Sequence, residues 1–115
     1  MGSHEGSRSG YSRDQYEWLR EVKERLARRV KNLLHPCYRG GRIPADQYKT
    51  VSKAATDRLY LRIKGKPEEA VERVHRWMTR GDAKWAVGKI GEQEIRTAVT
   101  EALRGVDLAH ILEGQ

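Results

Sequence analysis

Apolar side chains recur every three or four positions from residue 13 onward, the spacing that lays a stripe along one side of an α-helix. Tyr16, Leu19, Val22, Leu26, Val30 and Leu33 carry the first stripe, and Glu17, Arg20, Lys23, Glu24 and Arg28 sit between them in the sequence. Ser12 with Gln15 three residues on suits a capping box. Glu21 stands four residues before Arg25, the favourable order for a helical ion pair. The pattern predicts a helix over residues 13–35, ended by Pro36 because the residue before a proline is pushed out of helical geometry.

"PCYRGGRI" then reads as a compact connection, with Gly40 and Gly41 free to take positive φ. Pro44 suits the first turn of a second helix, where its missing N–H costs nothing. Tyr48, Val51, Ala55, Leu59 and Ile63 form that helix's stripe, which runs to Lys64 with Gly65 just beyond. Pro67, Glu68 and Glu69 predict the opening of a third helix, with the acids at the positive end of its dipole. Ala70, Val71, Val74, Trp77 and Met78 give its inner face, and Gly81 closes it.

"DAKWAVGKIGEQE" has two glycines and little periodicity, and reads as a short helix or loop around Trp85. A fourth helix follows over residues 92–104, with Ile95, Ala98, Val99, Ala102 and Leu103 inward, and "VDLAHILE" adds a further turn. No strand signal rivals the helical one. The expected fold class is all-α: a three-helix bundle over residues 12–81 with an additional C-terminal helix in an extension over residues 82–115. Residues 1–11 read as a disordered lead or a cloning scar, with no apolar residue between the initiator and Tyr11.

Charge adds a direction to this picture. The chain carries 23 Lys+Arg against 16 Asp+Glu, net +7. Residues 12–64 hold 14 basic and 6 acidic side chains, whereas residues 65–115 hold 8 and 9. A basic half beside a near-neutral one suggests that one face meets an anionic partner. The plainer reading is a set of solvated basic helix faces.

Catalytic and metal chemistry find little support. One cysteine, Cys37, leaves no internal disulfide, and its only near neighbour of suitable type is His35. The four histidines, His4, His35, His75 and His110, lie far apart with no ligand spacing. No phosphate loop is present, and no apolar run reaches the roughly 20 residues of a membrane span. The expectation is a binding module, not an enzyme, with no cofactor, no metal and no membrane partner.

The binding surface itself is legible as a ridge. Tyr48, Lys49, Ser52, Lys53 and Thr56 are linked by three- and four-residue steps on the second helix, and the first offers the cations Arg20, Lys23, Arg28 and Lys31. Packed antiparallel, the two helices would present a shallow groove of cations floored by tyrosine. Such a groove suits an extended peptide carrying phosphates, held by charge-assisted hydrogen bonds and aromatic packing. Alternatively Tyr48 is plain core and the lysines are solvated.

The stretch "VKNLLHPCYRGGRIPADQYKTVSKAATDRL" resembles the SRI domain, a small helical module at the C-terminal end of certain histone lysine methyltransferases, with related versions in some RING/PHD nuclear proteins. The resemblance spans residues 22–80 and is carried by Leu34, Pro36, Tyr38, Arg42, Ile43, Asp46, Tyr48, Lys49 and Lys53. It implies a nuclear, monomeric three-helix module that binds the phosphorylated C-terminal heptad repeat (YSPTSPS) of the largest RNA polymerase II subunit, with a preference for doubly phosphorylated repeats. It further implies that Lys31, Tyr48, Lys49 and Lys53 line the peptide groove; Arg28, Arg42 and Ser52 complete the candidate phosphopeptide site. Three features depart from the family pattern. Asp57 stands where a histidine can occur, Lys31 where an aliphatic is typical, and residues 82–115 have no counterpart.

Two other partners fit the sequence. Nucleic acid would meet the same cations with a steep salt dependence. A protein–protein scaffold would use the C-terminal helix through Ile95, Val99 and Leu103, or the tail through Leu108, Ile111 and Leu112.

Overall fold

The computed structural model describes residues 10–112; the lead at residues 1–9, including His4, lies outside the described residues. Five α-helices, α1 (Arg13–Arg39), α2 (Ala45–Lys64), α3 (Ala70–Arg80), α4 (Ala83–Gly88) and α5 (Glu92–Arg104), are followed by a 3-10 turn, Ala109–Leu112. No strand occurs among the described residues, so the protein is all-α.

The start of α1 is capped as its sequence predicts. The Ser12 hydroxyl accepts from the Gln15 amide at 3.1 Å, and the Ser12 N–H donates to the Gln15 side-chain oxygen at 2.8 Å. Its buried face is Gln15, Trp18, Leu19, Val22, Leu26, Val30, Leu34 and Cys37. That phase differs from the expected stripe at both ends. Tyr16 is exposed and Leu33 only half-buried, while Trp18 and Leu34 point inward. Two polar bonds set the phase at the N-terminal end. The Gln15 side-chain amide donates to the Val71 carbonyl at 3.1 Å, and the Trp18 indole N–H donates to the Gly81 carbonyl at 3.3 Å.

Helix α1 also runs four residues past His35, through Pro36. Proline removes one backbone donor and crowds the carbonyl four residues back, a cost of about 3 kcal/mol in a helix interior. Tertiary packing offsets it. Cys37 continues the buried stripe three residues after Leu34, and the Tyr38 ring stacks on Tyr48 with centroids 4.6 Å apart. Gly40 donates to the Pro36 carbonyl at 3.0 Å and Arg42 to the Cys37 carbonyl at 2.9 Å, which closes the helix end. Gly41 takes the positive φ of the connection, at 75°. Tyr11, which the sequence reading places in the lead, packs edge-on against Tyr16 at 5.4 Å.

Helix α2 follows its predicted stripe, with Val51, Ala55, Leu59 and Ile63 buried, and ends at Gly65 with φ 75°. Arg73 secures that end from α3. Its guanidinium donates to the carbonyls of Ile63 at 3.0 Å and Arg62 at 2.9 Å, two acceptors that the helix terminus leaves open. Helix α3 begins at Ala70, three residues later than Pro67 suggests. Residues 67–69 form a turn instead, closed by Glu69 donating to Lys66 at 3.0 Å.

The C-terminal elements share the core of the first three helices. Ala83, Ala86 and Val87 of α4, Ile90, Ile95, Val99 and Leu103 around and along α5, and Ile111 and Leu112 of the final turn join one cluster with Leu26, Val30, Val51 and Leu59. Arg29 of α1 pins this layer through bonds to the carbonyls of Val87 at 3.2 Å and Ile90 at 3.1 Å, plus an ion pair with Glu92. Arg58 pairs with Glu101 at 2.8 Å, and Arg62 pairs with Glu94, so α2 and α5 are also tied along their exposed edge. The apolar anchors that a scaffold on α5 would need are thus turned into the protein's own interior.

Candidate functional site: a cationic groove between α1 and α2

The exposed edge between α1 and α2 opens into a groove of about 550 Å3. Helix α1 contributes Arg20, Lys23, Glu24, Ala27, Lys31 and Tyr38, and α2 contributes Ala45, Tyr48, Lys49, Ser52, Lys53, Thr56 and Asp57. Both sets step by three and four residues, so each helix lends one continuous face to the groove. The short 40–44 connection makes the helices antiparallel neighbours, which brings Lys31 near the start of α2 and Lys23 near Asp57.

Two tyrosines build one end. Tyr38 and Tyr48 stack with rings inclined by 24°, Tyr48 half-buried and Tyr38 exposed. Offset stacking of this kind contributes about 0.5–1.5 kcal/mol and holds both rings in a fixed orientation. Lys31 and Lys49 line the same groove, and neither pairs with a described acid.

The other end is organised by a carboxylate. Asp57 receives Lys23 from α1 at 3.5 Å and Lys53 from α2 at 3.2 Å. Lys23 also lies 5.2 Å from the centre of the Tyr60 ring, with Lys64 on the same ring at 5.1 Å. Burial raises the Tyr60 pKa, and the charges of Tyr11 and Asp57 raise it further. Between the two ends the floor is small and apolar at Ala27, with Ser52 and Thr56 beside it. The Thr56 hydroxyl donates to the Ser52 carbonyl at 2.7 Å. The Ser52 hydroxyl is buried without a hydrogen-bond partner among the described residues.

Five of the seven residues proposed from the sequence meet here: Lys31, Tyr48, Lys49, Ser52 and Lys53. Arg28 and Arg42 do not. Arg28 is one residue on from Ala27, about 100° round the helix, and lies on the outer surface with Glu24 and Arg25. Arg42 turns away from the groove and donates to the Ile111 carbonyl at 3.2 Å, where Cys37 also approaches at 3.8 Å. It braces the final turn. Tyr38 lines the groove but is absent from the sequence-derived set, because the sequence predicts a helix that stops at His35, three residues before it. Its periodicity signal is an aromatic four residues after Leu34, where one further turn of the α1 stripe would place it.

No group of three or more His, Cys, Asp or Glu side chains among the described residues could hold a metal ion. Nor is any described helix long and apolar enough to cross a membrane. No protein-family model matches the chain, and comparison with curated proteins and with solved structures gives no match.

Proposed function

We propose that the protein is a binding module for phosphorylated, extended peptide, of the kind presented by the C-terminal heptad repeat of RNA polymerase II, and that it serves a nuclear regulator of transcription. The observation that carries this reading is the stacked Tyr38–Tyr48 pair beside two lysines, Lys31 and Lys49, that no described acid neutralises. A phosphoserine carries a charge of about −1.5 to −2 and three acceptor oxygens, so it matches paired lysines better than any unmodified side chain does. The aromatic surface next to them suits the prolines and tyrosine of a heptad, which favour an extended, low-entropy backbone. The family resemblance of residues 22–80 supports the same partner. The assignment is to a binding function, not to catalysis.

Calorimetric titration at physiological salt tests it. Heptad peptides carrying phosphoserine are expected to bind saturably, while the same peptides without phosphate bind at least tenfold more weakly, a difference of about 1.4 kcal/mol. Equal binding of both forms would remove the phosphate from the reading. Tighter binding to a random single-stranded RNA, with a steep loss on added salt, would replace the peptide by nucleic acid.

A further inference from the structure

The groove's cations are not equivalent, and the difference lies in Asp57. Its carboxylate spans the two walls, taking Lys23 at 3.5 Å on one oxygen and Lys53 at 3.2 Å on the other. A carboxylate held by two ammonium groups on opposing helices occupies the position that a ligand phosphate would take at that end. Lys31 and Lys49, at the tyrosine end, have no such internal anion. From Lys49 to Asp57 is eight residues of helix, about 12 Å along the axis. In an extended peptide that distance is covered by roughly four residues. Two phosphoserines three residues apart, about 10 Å, would therefore reach both ends together.

We infer that Asp57 is a specificity-determining residue that closes one of two potential phosphate positions, so that the groove reads a single phosphate at the Lys31/Lys49 end. This rests on the phosphopeptide reading above and narrows it. A second phosphate at the far end would compete with the Asp57 carboxylate for the same two lysines, and like charges at close range cost what the lysines return. The family preference for doubly phosphorylated repeats is therefore not expected in this chain. The remedy is isosteric: Asp57→Asn keeps size and shape and removes the charge. Asp57 is a partly exposed surface residue whose side chain is 41% accessible, so the variant is expected to fold.

The test is a set of affinities for one heptad-pair peptide carrying zero, one or two phosphoserines three residues apart, measured against wild type and Asp57→Asn. Wild type is expected to gain less than about twofold from the second phosphate. Asp57→Asn is expected to gain roughly three- to tenfold, the scale of one or two exposed ion pairs. A wild-type gain of tenfold for the second phosphate would overturn the inference and leave the phosphopeptide reading standing. So would an Asp57→Asn variant that strengthens the singly and doubly phosphorylated peptides equally, since that is a uniform field and not a closed position. If no phosphorylated peptide binds either protein, the reading of the groove fails and the inference falls with it.

Discussion

A lysine contributes to anion recognition only as far as nothing on the protein already neutralises it, and the four lysines of the groove differ in that respect. Lys53 and Lys23 share Asp57, whereas Lys31 and Lys49 have no described acid partner. Replacing Lys49 or Lys31 by alanine is expected to weaken phosphopeptide binding about fivefold, near 1 kcal/mol, with little change in thermal midpoint. Lys53→Ala is expected to cost less than about twofold, because removing it also frees Asp57 to take Lys23 alone. Titration calorimetry of the three variants separates these outcomes. Tyr60 gives a second, independent reading of the same corner. Its pKa is raised by burial, so the neutral phenol is favoured in the folded state. The unfolded chain then loses its proton first, and stability should fall as pH rises past about 10. Urea midpoints above that pH should decline less in Tyr60→Phe than in wild type.

Among the elements, α1 does the most, since it caps itself, anchors α3 and α4, and supplies one wall of the groove. Ser12→Ala removes its cap and is expected to cost about 1 kcal/mol, with faster amide exchange confined to the first turn. Arg73→Ala is expected to cost a similar amount at the C-terminal end of α2, since it leaves the Ile63 and Arg62 carbonyls without their partner. Most of this element's course is written in its own residues. The capping box at Ser12 and the spacing of Leu19, Val22, Leu26 and Val30 are local signals, and local signals decide where a helix begins and which face it buries. The last turn is not local. Pro36 argues for a stop, and the reasons to continue are Cys37 meeting Ile111 and Tyr38 meeting Tyr48, partners that only the folded chain supplies. That last turn is what brings Tyr38 to the groove. Trp18 and Gln15 were hidden for the same reason, because the acceptors that draw them inward, the Gly81 and Val71 carbonyls, are more than fifty residues away.

On the scale of the whole molecule, the segment after Gly81 is part of the bundle's interior. The sequence shows that α5 is amphipathic but not what its apolar face covers, and the spacing alone leaves open whether it packs on the first three helices or meets another partner. Ile95, Val99, Leu103, Ile111 and Leu112 are buried in one core with the apolar faces of α1 and α2. Burying a side chain of that size contributes about 1.5–3 kcal/mol, against a total stability of about 5–15 kcal/mol for a domain. A chain ending at Gly81 is therefore expected to lose cooperative unfolding, which circular dichroism during urea titration would detect. The braces from Arg29 to Val87 and from Arg42 to Ile111 set the same dependence, and they place α1 and the 40–44 connection that together shape the groove.

The central claim is that this groove takes a phosphorylated peptide at its tyrosine end. NMR titration of the isotope-labelled protein with a singly phosphorylated heptad peptide and its unmodified twin, at physiological salt, tests it most directly. Saturable shifts centred on Lys31, Tyr38, Tyr48 and Lys49, present only with the phosphorylated peptide, are the predicted result. Flat spectra with both peptides, or shifts confined to α3 and α5, would contradict it.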